Sequence, residues 1–116
     1  MPEDNILDLL NRVTQIAEDF KAIDIKKYST SESELSDYIL IFSVLNKIQA
    51  KAILNAIIKK TKDQQKQAEP NFLHISGKVE SEWVIIDLSD IIIHLLTDKM
   101  RNHYQLDDLF QKRAKG

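Results

Sequence analysis

The chain has no cysteine. That removes a disulfide framework and any thiolate metal site, and it fits a reducing compartment. Glycine is nearly as scarce. Only Gly77 and Gly116 occur, so there is no glycine-rich phosphate loop. His74, His94 and His103 lack the close pairing of a metal motif, and no nucleophile elbow is present. Neither sign of charge dominates: 16 basic side chains face 18 acidic ones, for a formal net charge of −2. That balance argues against a dedicated nucleic-acid binder, which carries a strongly basic face. Long apolar runs are also missing. The stretches around residues 38–45 and 83–96 are too short or too interrupted to span a bilayer. The acidic opening Met1-Pro2-Glu3-Asp4 is unlike a secretory or transit sequence. The expectation is a soluble cytoplasmic protein with no membrane partner.

What is present suits one modest core. The 116 residues are 43% hydrophobic, which predicts a single compact domain over residues 1–111, followed by a basic tail at 112–116. Ile6, Leu7, Leu10, Val13, Ala17 and Phe20 recur at helical steps and predict a helix over residues 4–20. Ile23 and Ile25 alternate within a short strand, residues 22–28. Ser31-Glu32-Ser33-Glu34 fits a capping box that leads towards Asp37. The continuous run from Tyr38 to Val44 is rich in β-branched and aromatic residues, which suits a strand buried on both faces. Asn46, with Gln49 three residues on, predicts the cap of a second long helix. Its expected apolar stripe is Ile48, Ala52, Ile53, Ala56 and Ile57, and the helix is expected to fray in the polar tract after Thr61. Phe72 to Ile75 reads as a strand closed by Gly77, and residues 98–104 and 105–111 read as helical turns. Strands alternating with helices predict an α/β fold, a mixed β-sheet flanked by helices.

The segment from Trp83 to Leu96 carries the most information. With Ser89-Asp90 as turn residues, Leu88 pairs with Ile91, Ile86 with Ile93 and Val84 with Leu95, all on one greasy face. The opposite face carries Trp83, Ile85, Asp87, Ile92, His94 and Leu96, with Asp87 diagonal to His94. Two readings stand. Asp87 and His94 form a satisfied pair within the core, or the face binds a partner with Trp83, the only tryptophan, as its anchor. Catalysis fits poorly. Asp87 and Asp90 are three apart, where two metal-binding carboxylates on one strand face need an even spacing. The adjacent Asp107-Asp108 is explained by capping. The lysines of the second helix suit a solvated face.

The order from Trp83 to His94, Trp-Val-Ile-Ile-Asp-Leu-Ser-Asp-Ile-Ile-Ile-His, resembles the signature of the ribosomal silencing factor (Iojap-like) family. Arg101, Tyr104 and the ending Leu106-Asp107-Asp108-Leu109-Phe110 continue the likeness, as do Asp37-Tyr38-Ile39-Leu40-Ile41 and Gly77 upstream. It covers roughly residues 4–110. The resemblance implies a nucleotidyltransferase-like α/β fold without that activity and without a cofactor. It implies binding to large-subunit ribosomal protein fourteen, a steric block on small-subunit joining, and repression of translation. On it, Trp83, Asp87, Asp90, His94, Arg101, Tyr104 and Phe110 are expected to form the partner-binding site of a monomer or weak homodimer, with peripheral ribosomal RNA contact left open. Three positions depart from the pattern: Ser89 for the hairpin Gly, Ser43-Val44-Leu45-Asn46 for a Ser-Gly-Thr-Ser-like turn, and Phe110 for a final Trp. The alternatives are a nucleotidyltransferase-like enzyme, which requires a metal-ready carboxylate pair, and an RNA-binding module built on the lysine-rich helix.

Overall fold

The central pair of strands explains the rest of the architecture. β2 (Tyr38–Val44) and β5 (Ile91–Thr97) run parallel, with Leu40 beside Ile93 and Phe42 beside Leu95. β1 (Ile23–Ser29) adds antiparallel to β2, β4 (Trp83–Asp87) antiparallel to β5, and β3 (His74–Lys78) antiparallel to β4. The sheet order is therefore β1-β2-β5-β4-β3. The computed structural model describes residues 3–29, 38–64, 74–88 and 91–108. The expected capping box at 31–34, Asp37, the turn residues Ser89 and Asp90, Phe110 and the basic tail lie outside them.

Both long helices cover the same face of the sheet. Leu10, Val13 and Ala17 of α1 (Glu3–Asp19) and Ala50, Ile53 and Ile57 of α2 (Lys47–Gln64) are buried against Leu40, Phe42, Val44, Val84, Ile86, Leu88, Ile91, Ile93 and Leu95. These are the alternate residues of β2, β4 and β5, so the greasy hairpin face read from the sequence is the face under the helices. A smaller cluster lies on the other side. There Ile39, Ile41 and Leu96 meet Leu106, with Tyr28, Trp83 and Met100 at its margin. Among the described residues, α3 (Asp98–His103) and the helical turn that begins at Leu106 lie over one end of that face.

Two sequence expectations are corrected by the structure, at Ile48 and at Gly77. Ile48 is 83% exposed and is no part of the α2 stripe, which runs Ala50, Ile53, Ile57, Thr61. At 100° per residue Ile48 points about 140° away from Ile53. α2 is described through Gln64, inside the polar tract where fraying is expected, and residues 65–73 lie outside the described ones. Gly77 does not close β3 but sits inside it, opposite Val84, with φ +81°. A β-carbon there would stand 2.5 Å from the Trp83 carbonyl oxygen, so only glycine fits. A 3₁₀ turn, Val79–Ser81, then links β3 to β4.

The cap at Asn46 forms as read. Its Oδ1 accepts the Gln49 backbone N–H at 2.9 Å. Gln49 returns the bond one residue early, its Oε1 accepting from the Leu45 N–H, and its amide donates to the Phe20 carbonyl. One side chain thereby ties the start of α2 to the end of α1.

Candidate partner-binding site

The hairpin register matches the sequence reading: Ile86 faces Ile93, Val84 faces Leu95, and the Leu88 N–H donates to the Ile91 carbonyl at 2.8 Å. It fixes what the second face presents. Asp87 lies opposite Ile92, Ile85 opposite His94 and Trp83 opposite Leu96. His94 is therefore diagonal to both Asp87 and Trp83, within reach of long side chains on either side.

Trp83 and His94 are joined. The indole Nε1–H donates to His94 Nδ1 at 3.1 Å, with ring centroids 5.9 Å apart and a tilt of 51°. The imidazole is only 7% exposed. Burial penalises its charged form and lowers its pKa from 6.5 to about 4. It is thus neutral at physiological pH, and with Nδ1 accepting, the ring proton belongs on Nε2.

The other side of the tryptophan meets Tyr104, whose ring centroid is 5.2 Å away at a tilt of 47°. Tyr104 is 52% exposed, Trp83 is half-buried, and His103 lies edge-on to Tyr104 at 4.7 Å. The local chain holds this cluster in place. Thr97 caps α3, its hydroxyl accepting the Met100 N–H. The same hydroxyl donates to the Glu82 carboxylate at 3.0 Å, and the Thr97 N–H donates to the Glu82 carbonyl. Glu82 itself is left-handed at φ +67°. The start of β4 and the end of β5 are thereby pinned together, so that α3 emerges directly beside Trp83.

Arg101 lies behind this surface and not on it. It is 3% exposed. Its Nε and Nη2 donate to the two carboxylate oxygens of Asp107, and Nη1 donates to the Asp24 carbonyl and the Ser43 hydroxyl. Tyr28 also donates to Asp107, at 2.9 Å. Burial acts against the guanidinium charge, but the Asp107 carboxylate outweighs it and raises the Arg101 pKa. The Arg101 bond holds the Asp107 carboxyl below its ordinary value, against its partial burial. Burial and the bond to Asp107 push the Tyr28 phenol up to about 12.

Of the expected site residues, Trp83, His94 and Tyr104 come together, Asp87 stands on the same face, and Arg101 braces α3 from within. Asp90 and Phe110 fall outside the described residues. Sequence reading missed Asp24, Ser43 and Asp107 as partners of Arg101, and Tyr28 as a second donor to Asp107: Asp24 and Ser43 lie 77 and 58 residues from Arg101, Tyr28 lies 79 from Asp107, and Asp107, six residues on, reads locally as a helix cap. It also missed His74, Ser76 and Lys78, which extend the face along the exposed edge strand β3 opposite Asp87, Ile85 and Trp83. Among the described residues no group of three or more His, Cys, Asp or Glu side chains is placed to hold a metal ion. No helix there is long and apolar enough to cross a membrane.

Comparison with known proteins gives a consistent result. Residues 3–115 match the family model described as "Ribosomal silencing factor during starvation". The chain is 31% identical to a ribosomal silencing factor of Zymomonas mobilis over 103 residues, 88% of this chain and 74% of the relative. It is 31% identical to that of Bacillus subtilis over 94 residues, 81% of this chain and 73% of the relative. A Chromobacterium violaceum crystal structure superposes with a TM-score of 0.75 at 25% identity, covering 91% of this chain and 86% of that one.

Proposed function

The chain belongs to the ribosomal silencing factor family, and from that membership we propose that it docks on large-subunit ribosomal protein fourteen and blocks small-subunit joining by its bulk. The family consists of ribosome-associated regulators, not enzymes, and a role in ribosome silencing comes with belonging to it. The finer reading concerns how the surface works. The observation that carries it is the Trp83–Tyr104 pair, partly open to solvent and backed by a buried neutral imidazole. An exposed aromatic pair set in a rigid frame is the composition of an interface anchor. The Asp87 carboxylate on the same face suits a basic partner, where it pairs with Lys or Arg.

In this reading Trp83, Tyr104, Asp87, Asp90 and Phe110 meet the partner, while His94 and Arg101 hold them in place. The protein acts by occupancy. A micromolar dissociation constant corresponds to about −8 kcal/mol, within reach of a small interface with one aromatic anchor. We further propose a single domain over residues 1–111 with a basic tail at 112–116, acting in the cytoplasm as a monomer or weak homodimer.

Sedimentation of purified ribosomal subunits tests the reading. The protein is expected to travel with large subunits and to lower the joined-ribosome peak, and Trp83→Ala is expected to lose both effects while remaining folded. Co-sedimentation with small subunits instead, or an unchanged joined-ribosome peak, sinks it.

A further inference from the structure

An indole can present either its N–H or its carbon edge to a partner, and the two select different chemistry. In this chain the choice is already made inside the free protein. The Trp83 N–H is spent on His94 Nδ1 at 3.1 Å. The imidazole is too deeply buried for a docking protein to reach. Tyr104 closes one side of the indole. Beneath, the ladder sets Ile85 opposite His94 and Leu96 opposite Trp83, so the backbone that carries both rings is fixed by strand pairing.

We infer that His94 is a positioning residue for docking: its Nδ1 holds the indole N–H inward, so that a partner meets the carbon edge of Trp83 beside Tyr104. The inference rests on the docking reading above and adds its chemistry. The group that fits over Trp83 is apolar, the aliphatic stem of a partner Lys or Arg, and not a hydrogen-bond acceptor. Burial keeps the imidazole neutral at neutral pH, and the bond from the indole sets Nδ1 as its accepting nitrogen. A fixed anchor loses little side-chain freedom on binding, which is where the affinity gain arises.

Trp83 is the only tryptophan, so its signals need no assignment. Three measurements on the full chain test the inference: hydrogen exchange at the indole N–H by NMR, the tryptophan emission spectrum, and the dissociation constant for purified large subunits. In the unmodified protein the indole N–H is expected to exchange slowly. His94→Leu, which removes the acceptor, is expected to abolish that protection, to shift and broaden the emission, and to weaken binding about tenfold, the worth of one hydrogen bond. His94→Asn, whose amide oxygen stands in for Nδ1, is expected to restore protection and to bring affinity within about threefold of the unmodified protein.

A freely exchanging indole N–H in the unmodified protein overturns the inference, even if His94→Leu fails to fold. So does a folded His94→Leu variant that binds at full strength. If the unmodified protein binds no large subunits while its indole is protected, the docking reading fails and the positioning role for docking falls with it. If it binds but the indole is free, docking stands and only His94 is misassigned.

Discussion

Asp107 grips one edge of the Arg101 guanidinium with both carboxylate oxygens, accepting from Nε at 2.6 Å and from Nη2 at 2.8 Å, although the two residues are only six apart on a chain that turns between them. The left-handed Gln105, at φ +50°, reverses the path and lets the carboxylate face back. The guanidinium also reaches the Asp24 carbonyl on β1 and the Ser43 hydroxyl on β2, so a single side chain fastens α3 to the far edge of the sheet. A buried guanidinium that loses its carboxylate stays buried and uncompensated, which costs about 3 kcal/mol or more. Asp107→Ala is therefore expected to lower stability by roughly that amount, and Tyr28→Phe, which removes one neutral donor from the same carboxylate, by only about 1 kcal/mol. Denaturant unfolding of the two variants checks the order. Equal effects would show that the ion pair is not what holds α3.

Gly77 couples the edge strand to the proposed anchor. Its positive φ and the 2.5 Å approach to the Trp83 carbonyl leave no room for a methyl group. Gly77→Ala has to rotate its own backbone or push Trp83 away. We expect a loss of about 2 kcal/mol in stability, the combined cost of a strained φ and a steric overlap. A shifted tryptophan emission spectrum is expected with it. Unchanged emission at full stability would mean that the strand yields without cost.

How much of this was legible beforehand depends on the range of the forces involved. The strand from Tyr38 to Val44 and the register of Leu88 against Ile91 follow from local pattern, because a period of two with one greasy face admits a single alignment. The Asn46 cap was legible for the same reason. Ile48 misled because an apolar residue at a helix start fits a stripe on paper until the angle is counted. For the site, Trp83, His94 and Tyr104 stood out by type, but their mutual contacts did not. The indole bond to His94 needs the β4–β5 ladder, and the meeting with Tyr104 needs the Thr97–Glu82 lock that aims α3. The role of Arg101 was the least legible, since its partners come from β1, β2 and the turn beyond α3.

Thr61 continues the buried stripe of α2 but brings a hydroxyl that has no hydrogen-bond partner among the described residues. A buried, unpaired hydroxyl opposes folding, and valine has nearly the same shape without it. Thr61→Val is expected to stabilise the protein by about 1 kcal/mol and to raise Tm by roughly 4 °C for a domain of this size. Calorimetry on the two proteins checks it. A lower Tm for the variant would reveal a bond to the hydroxyl.

His94 makes stability depend on pH in a particular window. Its folded pKa of about 4 lies below the ordinary 6.5, so between those values the unfolded chain binds a proton that the folded chain refuses. Stability is then complete above about pH 6.5 and falls as the solution is acidified towards pH 4. At 1.36 kcal/mol per pKa unit, the loss between pH 7 and pH 5 is about 2 kcal/mol. Asp107, whose folded pKa is depressed, acts in the same direction but only at lower pH, below the ordinary carboxylate range. Urea unfolding at pH 7 and pH 5 isolates the histidine from it. The unmodified protein is expected to show the 2 kcal/mol difference and His94→Leu to lose most of it. If both proteins have the same pH slope, the refused proton belongs to another group and His94 is not the neutral acceptor that its geometry requires.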